Sequence, residues 1–252
     1  MKMNKDNLKK IILRADDLGY SKGVNYGIKK CVEKGTIRTV GFIVNLEDSL
    51  HGYNLLKDYK ICLGLHVNIT CGKPISDPNS VPSLTKKSGD FRSSKEYSHD
   101  ISFGEVYNEI NKQYDRFVQI TKRFPDYMEG HAILNKTYLT AIKRVAEEKK
   151  VLFIPSLTSP YSYIEIRGIK TFFWLESMKE NYDPSQILDK VFNINREGCE
   201  VIIFHPGFID DALMNKSSLL LPRVKEVGYL TSNELCTQIK NNPDVFITYW
   251  DL

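Results

Sequence analysis

Ile11-Ile12-Leu13-Arg14-Ala15-Asp16-Asp17-Leu18-Gly19 is an apolar run of strand length that ends in two adjacent carboxylates and a turn glycine. Adjacent acids resist simultaneous ionisation, so placing them at a strand end carries an electrostatic cost. A bound cation removes that cost: one carboxylate ligates the ion and the other stays free to act as a base. Working outward, Gly64-Leu65-His66, Met128-Glu129-Gly130-His131 and Val201-Ile202-Ile203-Phe204-His205-Pro206-Gly207 each close a strand-like run with a histidine. An Asp pair and three strand-end histidines suggest a metal-assisted hydrolase.

Around these points, β-branched runs alternate with helical patterns. Strands are expected at 10–15, 39–45, 61–68, 127–130, 151–155, 200–205 and 245–248. A helix over 22–34 opens after Ser21, an N-cap residue, and stops at Gly35. The 103–123 stretch carries Val106, Ile110, Tyr114, Phe117 and Ile120 on one face, and 137–149, 184–196 and 231–240 read similarly. Alternating β and α elements imply a mainly parallel sheet with right-handed crossovers, and about seven strands are enough to close it into a barrel. Active sites of such folds sit at the carboxyl ends of the strands, where the Asp pair and the histidines fall. Two stretches break the rhythm. Residues 70–100 hold Pro74, Pro78, Pro82, Gly72, Gly89 and several serines without a helical period, and are read as a substrate-covering loop directly after His66. Residues 170–181 are read as irregular, with Phe172, Phe173 and Trp174 clustered either for core packing or for stacking on a sugar.

The 252 residues, 42% hydrophobic and 26% charged, suit a soluble α/β chain that forms a single domain over 1–252. No apolar stretch approaches the roughly 18–20 residues of a membrane span, and Ile11-Ile12-Leu13 is too short for a signal-peptide core, so a cytoplasmic setting is expected. The five cysteines are widely spaced without a C-x-x-C pair, which argues against a disulfide framework or a cysteine zinc site. The net charge of +4 comes from scattered lysines, so no nucleic-acid partner is expected. A homodimer is compatible with the chain, although no stretch marks an interface.

An Asp and two His give a cation a mixed oxygen and nitrogen shell with positions left for water and substrate. A second carboxylate can take a proton from water, and a separate histidine can protonate a leaving amine. Each residue also has a plainer role: Asp16-Asp17 as a turn or cap, His66 and His131 as hydrogen-bonded structural histidines, His205-Pro206-Gly207 as a rigid turn. Polar interruptions at four strand ends are hard to explain by packing alone. Glu129 reads either as a partner of a histidine or as a solvated acid, and His51 and His99 as surface residues. Gly19-Tyr20-Ser21-Lys22-Gly23 matches the G-x-S-x-G of a hydrolase nucleophile elbow, but only one strand precedes it, so Ser21 is better read as the helix cap.

The ordered pieces resemble the YdjC-like (ChbG/HpnK) carbohydrate deacetylases over nearly the whole chain. Ile12 to Tyr20 resembles the family's N-A-D-D-F-G opening. Gly64-Leu65-His66-Val67-Asn68-Ile69-Thr70 with Gly72-Lys73-Pro74-Ile75 is similar to its G-L-H-x-N-L-T…G-x-P segment. Val81-Pro82-Ser83-Leu84 with Gly89-Asp90-Phe91, and Phe204-His205-Pro206-Gly207-Phe208 with Asp210, resemble the later segments. The resemblance implies a distorted, TIM-barrel-like (β/α) barrel and a divalent metal ion, Mg²⁺ or Zn²⁺. It implies Asp17, His66 and His131 as metal ligands, Asp16 as catalytic base and His205 as general acid, with Asn68, Pro74 and Arg14 on the substrate side. The implied reaction removes an N-acetyl group from an amino sugar or chito-oligosaccharide and releases acetate. Two departures stand out. Arg14 replaces the usual Asn, where it can pair with Asp16, and Glu129-Gly130-His131-Ala132-Ile133-Leu134-Asn135 keeps only the first histidine of a D-[SG]-H-x-H-x-H pattern. A catalytically degenerate sugar- or metal-binding member is the alternative that the second departure raises.

Overall fold

The computed structural model describes residues 9–97, 100–155 and 160–252, which leaves His99 outside the described residues. In chain order the elements are β1 (Lys10–Leu18), α1 (Lys22–Glu33), β2 (Thr39–Phe42), α2 (Ser49–Leu56), β3 (Cys62–Val67), α3 (Phe103–Thr121), β4 (Tyr127–Gly130), α4 (Lys136–Lys149), β5 (Leu152–Phe153), β6 (Tyr163–Ile166), β7 (Ile169–Leu175), α5 (Ile187–Asn193), β8 (Cys199–Phe204), α6 (Asp211–Lys216), α7 (Leu221–Leu230), α8 (Asn233–Asn241) and β9 (Phe246–Ile247). The sheet runs β5-β4-β3-β2-β1-β8-β7-β6, with β9 added beside the start of β1. Every ladder is parallel except the β6–β7 hairpin. Among the described residues no ladder joins β5 to β6, so the curled sheet forms a distorted barrel open on that side.

The strands alternate between two apolar environments. Ile11, Leu13 and Ala15 of β1 pack outward with the helices, while Ile12 packs inside with Tyr127, Phe173, Val201 and Ile203. Central strands are therefore covered on both faces, as parallel sheets require. This explains the main correction to the sequence reading. Residues 170–181 are not wholly irregular: β7 takes in Phe172, Phe173 and Trp174, all buried. Phe173 faces the interior, and Trp174 turns outward, where its Nε1–H donates to Glu200 at 2.8 Å. Apolar side chains on both faces erase the alternation that marks a half-buried strand. Phe172 and Trp174 serve core packing, while Phe173, although buried, also lines the cavity at the carboxyl ends of the strands.

Other differences are of extent. β1 continues to Leu18 and so includes the Asp pair, and among the described residues the sheet has nine strands in place of about seven. The 184–196 helix shortens to α5, and α2, α6 and α7 are additional. Ser21 caps α1, accepting from Val24 N–H at 3.2 Å, and is fully buried, which removes it as a nucleophile. Cys31, Cys62 and Cys199 are free and buried in the core. Among the described residues no helix is long and apolar enough to cross a membrane.

The 70–97 segment is held by its own core of Val81, Leu84, Phe91 and Tyr97 and by α3. The buried carboxylate of Glu109 accepts the backbone N–H groups of Ile75 and Ser76 at 3.0 and 2.9 Å. This clamp fixes the segment beside the carboxyl end of β3.

Candidate metal centre and active-site cavity

Strand parity assembles the site. Arg14 and Asp16 share the inward face of β1 with Ile12, His66 shares that of β3 with Cys62 and Gly64, and Glu129 that of β4 with Tyr127. His205 follows Ile203 at the end of β8 on the same face. Parity alone would send Asp17 outward. Between β1 and β2 the register passes from Ala15↔Val40 to Leu18↔Phe42, three steps on β1 against two on β2. This is a β-bulge, and Asp17 takes φ 75° within it. The extra residue lets both carboxylates reach the same cavity. A left-handed φ at a non-glycine residue is the kind of local strain that concentrates at functional sites.

Asp17 Oδ1 lies 3.3 Å from His66 Nε2 and 3.1 Å from His131 Nδ1. The two ring nitrogens are 3.0 Å apart. Donors around an ion about 2.1 Å away stand about 3.0–3.4 Å apart, so the triangle has the size of one face of a coordination shell. Asp17 Oδ1 is buried and has no well-formed hydrogen bond. Such an atom is costly unless something completes its environment, and a cation does so. His66 Nδ1 is paired with Glu129 Oε1, which leaves Nε2 as the ligating nitrogen. Glu129 is therefore the partner of a histidine and not a solvated acid.

Charge is arranged tightly around this triangle. Arg14 donates to Asp16 Oδ2 at 2.7 Å and lies 3.6 Å from Glu129, while Asp16 Oδ1 stays buried and unpartnered. Arg223 of α7 donates to Asp17 Oδ2 at 2.7 Å. Burial opposes ionisation of Asp17, but Arg223 and His131 outweigh it and hold its carboxyl well below the usual range. Burial likewise opposes charging of His131, and the charge of Asp17 raises it to about 9 in the absence of an ion.

His205 follows β8, across β1 from the strands that lead to His66 and His131. Burial lowers it to about 4, against the pull of Asp17. Its Nδ1 is 3.3 Å from Ser177 Oγ, and its backbone N–H donates to Glu226 Oε2 at 2.6 Å. Ser177 donates to Glu226 Oε1 at 2.5 Å, and Tyr182 donates to the same oxygen at 2.9 Å. Burial pushes Glu226 up to about 7 in spite of these donors.

The cavity over these groups measures about 430 Å³. Arg14, Asp16, Asp17, His66, His131 and His205 all line it, and Ser93 and Ser94 of the 70–97 segment contribute to its wall. Ala132, Ile133 and Leu134 line it beside His131, and Ile133 stands at the position of the second histidine of the pattern. Two expected substrate residues lie elsewhere. Asn68 is fully buried, and its side chain holds the backbone of Thr70 and Cys71 and the side chain of Asn45. Pro74 borders a shallow groove with Leu46, Arg116 and Gln119. Arg223, Glu226 and Ser177 went unread in the sequence, since Arg223 lies 206 positions from the Asp17 it pairs with and no local motif marks it.

A family model described as YdjC-like protein matches residues 10–241. The carbohydrate deacetylase 2 of Listeria innocua serovar 6a is 26% identical, with 96% of this chain and 98% of that one covered. The carbohydrate deacetylase of Halalkalibacterium halodurans is 29% identical over 91% and 98%, and the chitooligosaccharide deacetylase of Proteus mirabilis 28% over 96% and 98%. In fold, the chain superposes on a crystal structure from Enterococcus faecalis V583, whose name refers to cellobiose-phosphate cleavage. The TM-score is 0.82 at 24% identity, covering 97% and 98% of the two chains.

Proposed function

The chain belongs to the YdjC-like protein family, and on that premise we propose that it is a divalent-metal-dependent N-deacetylase of acetylated amino sugars, releasing acetate. The names of its relatives support deacetylation of a carbohydrate. The observation that carries the metal reading is the largely buried triangle of Asp17, His66 and His131 with the orphaned oxygen of Asp17. Its donor set of one carboxylate and two imidazoles suits Zn²⁺ and related divalent ions. The chemistry supplied there when an ion is bound is Lewis-acid activation of water and of the acetamide carbonyl.

The remaining steps fall to the chain's own side chains. Asp16 is placed to take the proton of the attacking water on Oδ1, because Arg14 engages Oδ2. His205 lines the cavity and is placed to protonate the departing amine. Since burial favours its neutral form, it needs a partner that stabilises the charged ring. Ser93 and Ser94 give the 70–97 segment polar groups at the cavity wall, in keeping with a cover over a sugar.

The test is acetate release from N,N′-diacetylchitobiose by chelated protein and by protein restored with Mg²⁺, Zn²⁺, Co²⁺ or Mn²⁺. Release only after metal addition is expected. A protein that binds metal but releases no acetate from this or other N-acetylated sugars would favour the degenerate reading, which the intact set of Asp16, Asp17, His66, His131 and His205 argues against.

A further inference from the structure

We propose that Ser177 and Glu226 are positioning residues that hold His205 as the Nδ1–H tautomer and present its Nε2 to the cavity. The inference rests on the deacetylase reading for its consequence in catalysis, but its geometry stands apart from it.

Above about pH 7, where Glu226 is ionised, proton counting fixes the tautomer. Ser177 has one hydroxyl proton, and at 2.5 Å it is donated to the carboxylate of Glu226. Toward His205, 3.3 Å away, the same oxygen can then only accept. Nδ1 must therefore carry the hydrogen, and Nε2 is left with its lone pair. Glu226 is fixed from three sides, by Ser177, by Tyr182 and by the backbone N–H of His205 itself. Ser177 and Glu226 are almost fully buried, so water does not compete for these bonds. The arrangement spans three elements: Ser177 follows β7, His205 follows β8, and Glu226 sits on α7.

The same contacts stabilise the charged ring. When Nε2 gains a proton, the imidazolium is connected through the Ser177 hydroxyl to the Glu226 carboxylate. When Nε2 gives that proton to the amine nitrogen, the N–H bond of the ring breaks, the N–H bond of the amine forms, and the Nδ1 proton stays in place. The other charges facing His205 are Asp16 and Asp17 at the end of β1, which favour the cation, and His66 and Arg223, which oppose it. Arg223 also donates to the His205 carbonyl at 3.3 Å, which fixes the backbone beneath the ring.

The experiment is long-range ¹H–¹⁵N correlation of the histidine rings at pH 8, with His205→Asn used to assign the signal. Free histidine prefers the Nε2–H tautomer, so an Nδ1–H pattern for His205 is a discriminating result. Ser177→Ala is expected to shift the ring toward Nε2–H, and Ser177→Thr, which keeps the hydroxyl, to retain the wild-type pattern. An Nε2–H ring in the wild type, or a tautomer indifferent to Ser177→Ala, would overturn the proposal whether or not acetate is released. In the active enzyme, Ser177→Ala should lower kcat about 10–100-fold with little change in KM. It should also move the alkaline limb of the pH profile to lower pH, because the cation has lost its partner. An unchanged limb would refute the coupling to Glu226.

Discussion

Asp16 and Asp17 are neighbours in sequence but opposite in circumstance. Asp17 faces two histidines and Arg223, whereas Asp16 is held on one oxygen by Arg14 and leaves the other open. The two should separate cleanly by mutation. Asp17→Ala is expected to lose bound metal, and Asp16→Asn to keep it while losing about 10²–10⁴ in kcat. Metal content by elemental analysis, beside acetate release, checks both. Full rate in metal-loaded Asp16→Asn would remove that residue as the base. At this scale the sequence was informative, because the paired acids and the strand-end histidines stand out as polar groups in apolar runs. The roles of Glu129 and Arg14 became definite only when distances joined them to His66 and Asp16.

Among the elements, β2 contributes to the site by what it lacks. Gly41 lies beneath the carboxylates, and a Cβ there would come within 2.8 Å of Asp16 Oδ1 and 3.1 Å of Glu129 Oε1. Gly41→Ala should therefore push Asp16 out of line, lowering kcat at least about tenfold, since small displacements of a positioned group cost rate steeply. Overpacking of this kind costs about 1–3 kcal/mol of stability, so the fold should survive. Thermal unfolding and steady-state kinetics together check this, and a variant of unchanged rate would show that Asp16 need not hold its present position. Helices were legible where one face is apolar, as in α1 and α3. β7 was not, because a strand buried on both faces has no alternation to read. The bulge at Asp17 was equally hidden, since one extra residue in a ladder leaves no mark in composition.

For the molecule as a whole, buried charge makes stability depend on pH. Glu226 has a folded pKa of about 7 against an ordinary value of 4.5, so the fold favours its protonated form. Its contribution is fully present below about pH 4.5 and is lost as pH rises through 7. Two to three pKa units correspond to on the order of 3 kcal/mol. Glu226→Gln should lack this component, so its unfolding free energy should fall less than that of the wild type between pH 5 and 8. Parallel curves for the two proteins in denaturant titrations would contradict the assignment.

The sequence by itself determined the alternation of strands and helices, the edge of the sheet where the Asp pair and the histidines gather, and the residues of the Asp17, His66 and His131 triangle. These are local facts, written in hydrophobic period and in polar residues placed at strand ends. The tertiary structure decided how those residues are used. It turned Asp17 inward through a bulge, brought Arg223 across the chain to it, and set Ser177 and Glu226 behind His205. It also removed Asn68 and Pro74 from the cavity, because their neighbours in space are loop and helix groups. Each of these outcomes depends on contacts between segments far apart in the chain, and such contacts have no period for a sequence to display.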